Sequence, residues 1–207
     1  AISEKWHGAT TVSLTMHIAH QLGISVFATG GIGGVHRGAE YSFDVSQDLS
    51  ALAEIPMVVV SAGAKAILDL PKTIEIMETL GITILGYKTG EFPAFYSRES
   101  GILGIHSVGS DHEIANIYKA NISSGISSAV LVANPVPEKD EIPRQEIESV
   151  IDRACKSAAE LNIIGKNLTP YLLKEIEQKT GGSSLKANKL LALNNISLGI
   201  NIVKKRP

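Results

Sequence analysis

Short apolar segments that alternate with segments of helical periodicity constrain the fold of this chain more than any other feature. The apolar segments occupy residues 24–28, 57–61, 82–87 and 129–133. The helical patterns beside and between them occupy residues 10–22, 71–80 and 111–124. Because parallel strands need long crossovers, usually helices, this alternation predicts a largely parallel sheet.

Helical patterns dominate the C-terminal third of the chain. They cover residues 143–161, 170–179 and a last stretch that runs from Ser184 to about Val203. Thr169 and Ser184 stand where N-cap residues belong, because their hydroxyl oxygens can accept a first-turn N–H. With no repeat and no linker, the sequence predicts an α/β fold in one domain, residues 1–207. We expect three α/β/α layers and a helical C-terminal region.

Composition and charge exclude several classes of partner. The chain has 207 residues, a net charge of -2 and only 5% aromatic residues, so we expect no nucleic-acid partner. No apolar run reaches the roughly twenty residues of a membrane span, so no membrane partner is expected either. Cys155 is the only cysteine and cannot form an intrachain disulfide, which indicates a reducing, cytoplasmic location.

A glycine-rich segment, residues 29–40, directly follows the first apolar strand. Glycine lets backbone N–H groups approach an anion, and open α/β sheets bind ligands where strands end. The segment lacks the dinucleotide fingerprint, because His36 replaces the third glycine, and it lacks the Lys-Ser/Thr of a P-loop. The glycines either bind a phosphate or form a tight turn, and the adjacent His36, Arg37 and Glu40 favour binding.

Two carboxylates and one lysine follow the glycine-rich segment. Asp44 and Asp48 either hold a divalent cation together with waters or cap a helix that starts near Gln47, and the spacing alone favours capping. Lys65 ends the second apolar strand among small residues. It is either an amine that forms a Schiff base with a sugar aldehyde or a side chain that extends its ammonium into water.

A set of motifs in unbroken order carries a resemblance to a known family. The motifs are Gly-Ala-Thr-Thr-Val at 8–12, Thr-Gly-Gly-Ile-Gly-Gly-Val-His-Arg-Gly-Ala-Glu at 29–40, Phe-Asp-Val-Ser-Gln-Asp at 43–48, Ser-Ala-Gly-Ala-Lys-Ala-Ile-Leu-Asp at 61–69, Ala-Asn-Pro-Val-Pro-Glu at 133–138, Thr-Pro-Tyr-Leu-Leu at 169–173 and Ser-Leu-Lys-Ala-Asn at 184–188. On these motifs the chain resembles the pseudouridine-5'-phosphate glycosidase family, also called indigoidine synthase A-like. The resemblance runs from Gly8 to the C-terminus.

The resemblance implies reversible cleavage of the C–C glycosidic bond of pseudouridine 5'-phosphate to uracil and ribose 5-phosphate. The nucleophilic lysine of the family, which forms the Schiff base, matches Lys65. An iminium is the electron sink that a carbon leaving group requires, which agrees with the interpretation of Lys65 from its own position. The family also uses a divalent metal, usually Mn²⁺, and its metal-binding aspartate matches Asp44.

Further site residues follow from the same resemblance. The matched substrate contacts are Val12 and the run Ser46, Gln47 and Asp48. Residues around the phosphosugar and the base match Thr29, His36, Asn188 and, nearby, Lys186. Of these, His36 and Asn188 are expected to take part in catalysis. Arg37 is our own candidate for a charge-assisted phosphate contact.

Family members carry a further upstream segment, with a glutamate general acid and a second active-site lysine that this sequence lacks. We therefore expect a separate N-terminal segment to supply the acid, and the chain alone to turn over poorly. The resemblance also implies a homotrimer. Two alternatives stay open: another phosphosugar lyase that uses a Schiff base, and a non-catalytic phosphosugar-binding paralogue or fragment.

Overall fold

A five-stranded parallel sheet forms the middle of the fold. The computed structural model describes residues 3–205, apart from the side chain of Lys166. The strands are β1 Val26–Ala28, β2 Val58–Ser61, β3 Thr83–Tyr87, β4 His106–Val108 and β5 Val130–Ala133. They lie in the order β1-β2-β5-β3-β4, and each neighbouring pair is parallel. The predicted parallel sheet is confirmed.

Helices cover both faces of this sheet. They are α1 Val12–Gln21, α2 Ala39–Ser42, α3 Gln47–Glu54, α4 Leu70–Thr79, α5 Asp111–Ser123, α6 Arg144–Glu160, α7 Leu168–Lys179 and α8 Ser183–Lys204. On one face, Val58 and Val60 of β2 pack with residues of α5 and of the C-terminal half of α8. On the other, Val59 packs with residues of α1, α3, α4, α6 and α7.

This arrangement has the three layers that the sequence predicts. Neighbouring residues of β2 point to opposite faces of the sheet, and both faces are buried, so the strand is apolar except for Ser61 at its end. Among the described helices, none combines the length and apolarity that crossing a bilayer requires.

Two short elements and two helix caps differ from the sequence-based predictions. β4 was not predicted, because His106 and Ser107 are polar and exposed and so give no apolar run. The four-residue α2 was missed as well. The predicted cap at Thr169 is wrong, since α7 begins one residue earlier at Leu168. The predicted cap at Ser184 is also wrong, because its hydroxyl bonds to Thr180 Oγ1 at 2.9 Å inside the start of α8.

A buried amide of α8 fixes the ends of two strands. The side chain of Asn195 is fully buried, and its Oδ1 accepts a hydrogen bond from Asn134 Nδ2 at 2.9 Å, just beyond β5. Its Nδ2 donates to the backbone oxygen of Thr29 at 2.8 Å, just beyond β1. The glycine-rich segment therefore leaves the sheet from a point that is held by α8.

The segment that follows β2 depends on one glycine. Gly63 has a φ of +86°, in the left-handed region that residues with a Cβ rarely adopt. A Cβ at this position would lie 2.3 Å from the backbone oxygen of Pro93. Both the conformation and the close approach require glycine two residues before Lys65.

We predict that Gly63→Ala lowers the free energy of unfolding by about 2 kcal/mol or more, through backbone strain and the clash with Pro93. Gly90→Ala is the matched control, because a Cβ at Gly90 meets nothing within 4 Å and its φ is not positive. The measurement is urea unfolding followed by circular dichroism. Equal unfolding free energies for the two variants would contradict the prediction.

Candidate active site

A pocket of about 360 Å³ lies beside the segments that follow β1 and β2. In open parallel sheets, ligands bind at the carboxyl ends of the strands, where these segments begin. The lining residues are Thr10, Thr11, Val12, Gly33, His36, Ser46, Asp48, Lys65, Leu68, Thr169 and Pro170. Five residues of the predicted site are therefore brought to one pocket, although they span 54 positions of sequence: Val12, His36, Ser46, Asp48 and Lys65.

Backbone hydrogen bonds fix the position of Lys65. The residues after β2 run beside the glycine-rich segment: Ala62 N–H donates to Gly30 O at 2.8 Å, and Ile32 N–H donates to Gly63 O at 3.1 Å. Lys65 N–H then donates to Ile32 O at 3.0 Å. These bonds to the glycine-rich segment fix the backbone from which the half-buried Lys65 side chain enters the pocket.

Asp48 connects the glycine-rich segment to α1. Its carboxylate is buried, with one oxygen accepting from Gly33 N–H at 2.8 Å and the other from Ser13 N–H at 2.9 Å. A Cβ on Gly33 would lie 2.8 Å from Asp48 Oδ2 and 2.2 Å from Ser46 Oγ, so this glycine is needed for the close approach. Asp48 thus shapes the pocket as well as lining it.

The N-cap of α3 is Ser46, whose Oγ accepts a hydrogen bond from Asp48 N–H at 3.2 Å. The capping role that spacing favoured for Asp44 and Asp48 is therefore wrong. The physical reason is that the Asp48 carboxylate turns inward to the two backbone N–H groups, which leaves the cap to the shorter hydroxyl.

The N-terminal ends of three helices border the pocket. Thr11 is the N-cap of α1, Ser46 is the N-cap of α3, and Thr169 and Pro170 belong to the first turn of α7. First-turn N–H groups lack partners within the helix and carry the positive end of its dipole, so these ends favour an anion. Sequence reasoning missed this convergence, since only the fold brings the three ends together.

His36 lies close to both Asp44 and Lys65. Partial burial lowers the pKa of its imidazole, Lys65 lowers it further, and Asp44 opposes them by favouring the charged form. Its backbone N–H donates to Asp44 O at 3.0 Å, which holds the two residues together. Burial therefore favours the neutral imidazole, in which one ring nitrogen has a lone pair that can accept a proton.

The other predicted site residues lie outside the lining of this pocket. Asn188 approaches the glycine-rich segment, with Oδ1 3.1 Å from the place where a Cβ on Gly30 would lie. Thr29 follows β1, and its backbone oxygen binds Asn195. The side chains of Gln47 and Lys186 are exposed.

Arg37 points away from the pocket. Its guanidinium forms ion pairs of 2.8 Å with Glu148 and Asp152 of α6. It lines a neighbouring cavity of about 290 Å³ together with Ala66 and Leu68.

Asp44 offers one carboxylate to a metal ion. Within residues 3–205, no group of three or more histidine, cysteine, aspartate or glutamate side chains is arranged to hold one. The Asp44 carboxylate is half-buried and makes no hydrogen bond or ion pair with the described residues. A hard oxygen donor of this kind fits a divalent cation whose other ligands are waters and substrate oxygens.

Comparison with known proteins places the chain in a family. The family model described as "Indigoidine synthase A like protein" matches residues 1–205. A pseudouridine-5'-phosphate glycosidase of Mesorhizobium japonicum is 49% identical over 99% of this chain and 67% of its own length. One of Caldanaerobacter subterraneus subsp. tengcongensis is 50% identical over 95% of this chain and 64% of its own length.

Two solved structures have the same fold. An indigoidine synthase A-like protein from Thermotoga maritima superposes with a TM-score of 0.87 at 41% identity, over 96% of this chain and 66% of its own. A prealnumycin C-glycosynthase in complex with ribulose 5-phosphate gives 0.86 at 36% identity, over 94% of this chain and 63% of its own. The chain thus spans about two thirds of the length of its relatives. It belongs to the indigoidine synthase A-like protein family.

Proposed function

We propose that this chain carries the sugar-phosphate site and the nucleophile of a pseudouridine-5'-phosphate glycosidase. The observation that carries the proposal is the position of Lys65, which lines one pocket together with the N-terminal ends of three helices. The names of relatives at 49 and 50% identity support the same substrate class.

The helix ends are the proposed site of the substrate phosphate. The N-termini of α1 and α7 supply N–H groups and hydroxyls from Thr10, Thr11 and Thr169. Asp48 carries a negative charge between the α3 and α1 ends, because its oxygens accept from Gly33 N–H and from Ser13 N–H in the first turn of α1. The phosphate is therefore expected beside α7 and the threonine hydroxyls, away from Asp48.

Lys65 is the proposed nucleophile. In the direction of bond formation, its Nζ adds to the C1′ aldehyde of open-chain ribose 5-phosphate, and loss of water leaves an iminium. C5 of uracil then bonds to C1′ while the π electrons of the iminium return to nitrogen, and the proton on C5 goes to a base. The 4′-hydroxyl closes the ring at C1′, losing its proton, and Lys65 leaves as the amine. Cleavage reverses these steps and consumes one water per C–C bond broken.

His36 and Asn188 are proposed to assist this chemistry. A neutral His36 beside Lys65 can accept a proton from the incoming ammonium or from the sugar hydroxyl. Asn188, against Gly30, offers an amide for the ribose or the base. Thr29, Gln47 and Lys186 stay predicted substrate contacts.

A divalent metal, with Mn²⁺ as the expected ion, would be held by Asp44. When bound, such an ion supplies positive charge that polarises a substrate oxygen. Asp44 would provide one ligand, and its carboxylate lies close enough to His36 to favour the charged form of the imidazole.

The whole enzyme is proposed to need sequence beyond these residues. The proposed acid that protonates uracil belongs to the further third of the relatives' length, so joining this chain to the corresponding part of a relative should raise its turnover. A homotrimer and a cytoplasmic location stay predictions.

A second candidate is the synthesis of a C-glycoside with an acceptor other than uracil. It is supported by the similarity to the prealnumycin C-glycosynthase, whose structure holds ribulose 5-phosphate. Both candidates require a sugar phosphate bound at Lys65 and differ only in the carbon nucleophile. Formation of pseudouridine 5'-phosphate from ribose 5-phosphate and uracil distinguishes them.

We predict that borohydride traps one reduced sugar phosphate on Lys65 when the chain is incubated with ribose 5-phosphate and Mn²⁺. The reason is that reduction of the iminium makes the bond to Nζ permanent. The measurement is intact mass followed by peptide mapping. Lys65→Arg should abolish the adduct.

The matched control is Lys119→Arg, on an exposed lysine of α5, which should label as the wild type does. Binding of ribose 5-phosphate without any adduct, with equal affinity in the wild type and Lys65→Arg, would favour a non-catalytic sugar-phosphate-binding protein. Labelling spread over several surface lysines would contradict the assignment of the nucleophile.

We predict that the thermal midpoint of the wild type falls more steeply between about pH 7.5 and 5 than that of His36→Gln. Burial lowers the pKa of His36 in the folded chain, whereas the pKa of a histidine in the unfolded chain is about 6.5. The unfolded chain therefore binds more protons as pH falls through that value. The stability that neutral His36 contributes is fully present above the unfolded pKa and is lost as the pH falls to the folded pKa. His17→Gln, an exposed site on α1, should keep the wild-type slope; parallel slopes for the wild type and His36→Gln would refute the prediction.

A further inference from the structure

The Arg37 side chain joins the glycine-rich segment to two distant parts of the chain. Its Nη1 donates to Asp152 Oδ1 at 2.8 Å, and its Nη2 donates to Glu148 Oε1 at 2.8 Å, both on α6. The same Nη2 donates to the backbone oxygen of Ala66 at 3.3 Å. A rigid guanidinium is suited to hold several acceptors at once, because its donors have fixed directions.

This junction is adjacent in the chain to two residues of the candidate active site. Arg37 follows His36, and Ala66 follows Lys65, so each partner is the chain neighbour of a pocket-lining residue. Arg37 and Ala66 themselves line the neighbouring cavity of about 290 Å³. Leu68, which pairs with His36 as an isolated bridge, borders both spaces.

We propose that Arg37 is a positioning residue for Lys65. Its guanidinium links the carbonyl of Ala66, in the peptide one residue beyond Lys65, to Glu148 and Asp152 of α6 as the fixed support. The orientation of the Lys65 amine towards the sugar aldehyde depends on that link. The catalytic part of this inference rests on the proposed function, whereas its structural part does not.

Two observations favour this role over the phosphate contact that the sequence predicted. Both Nη atoms of Arg37 are engaged by acceptors of the chain itself. The guanidinium also lies outside the lining of the pocket that contains Lys65. The ion pairs are half-exposed, with side-chain exposures of 32% for Arg37, 44% for Glu148 and 53% for Asp152, so they add little to global stability. Loss of the link is therefore expected to act locally.

The first test measures borohydride trapping on Lys65 over a range of ribose 5-phosphate concentrations. For Arg37→Gln we expect the maximal trapping rate to fall about 10- to 100-fold, because a nucleophile displaced by a fraction of an ångström attacks poorly. The half-saturating concentration should stay within about threefold of the wild type. A large rise in that concentration with an unchanged maximal rate would indicate a phosphate contact and overturn the inference.

Matched variants test whether Arg37 acts through α6. Glu148→Gln should reproduce part of the loss, and the double variant Arg37→Gln/Glu148→Gln should lose no more than Arg37→Gln alone, since both break one link. Arg37→Lys should recover only part of the rate, because an ammonium lacks the planar set of N–H donors with which a guanidinium binds several acceptors at once. Arg153→Gln, on an exposed arginine of α6, should behave as the wild type. Additive losses in the double variant would overturn the coupling.

Amide hydrogen exchange tests the inference without any substrate. In Arg37→Gln, amides of residues 62–69 should exchange at least about tenfold faster than in the wild type, since their segment opens more often. Arg153→Gln should leave them unchanged. If the wild type forms no adduct but this exchange result is obtained, the proposed function fails and the positioning link stands. Unchanged exchange at residues 62–69 in Arg37→Gln overturns the inference.

Discussion

The backbone pairing between the glycine-rich segment and the residues after β2 is the constraint on which the rest of the site depends. Three hydrogen bonds, from Ala62 to Gly30, from Ile32 to Gly63 and from Lys65 to Ile32, continue the register of the parallel strands beyond the sheet. Strand pairing itself tolerates side chains, which point out of the sheet plane, so the glycines are required by what surrounds the segment. At Gly31 a Cβ would lie 2.6 Å from the Phe95 ring, which shows why this segment is rich in glycine.

The buried carboxylate of Asp48 disfavours a second anion in the pocket, whereas the helix N-termini favour one. Hydrogen bonds to a charged group contribute about 1.5–3 kcal/mol each, and Asp48 accepts two from backbone N–H groups. A helix N-terminus stabilises a nearby anion by about 0.3–1 kcal/mol at an exposed site. A phosphate therefore gains most from α7 together with Lys65, because Asp48 already occupies Ser13 N–H at the α1 end.

Much of the fold could be predicted from the sequence, and the site only in part. Buried strands such as β2 are apolar on both faces, so they stand out, whereas the exposed edge strand β4 gives no such signal. Lys65 could be found because a lysine just after a buried strand, among small apolar residues, is unusual. The direction of Arg37 could not, because its partners Glu148 and Asp152 lie more than a hundred residues away in sequence.

The ionisable side chains that line the pocket have different roles. Of the lining residues, His36, Asp48 and Lys65 carry ionisable side chains. Asp48 uses both oxygens to hold the backbone, and protonating it would release Ser13 or Gly33. His36 and Lys65 are left for chemistry, and both are bases in the proposed reaction. With these two groups assigned to the base and the nucleophile, the proposed acid for the carbon leaving group is expected from residues outside this lining.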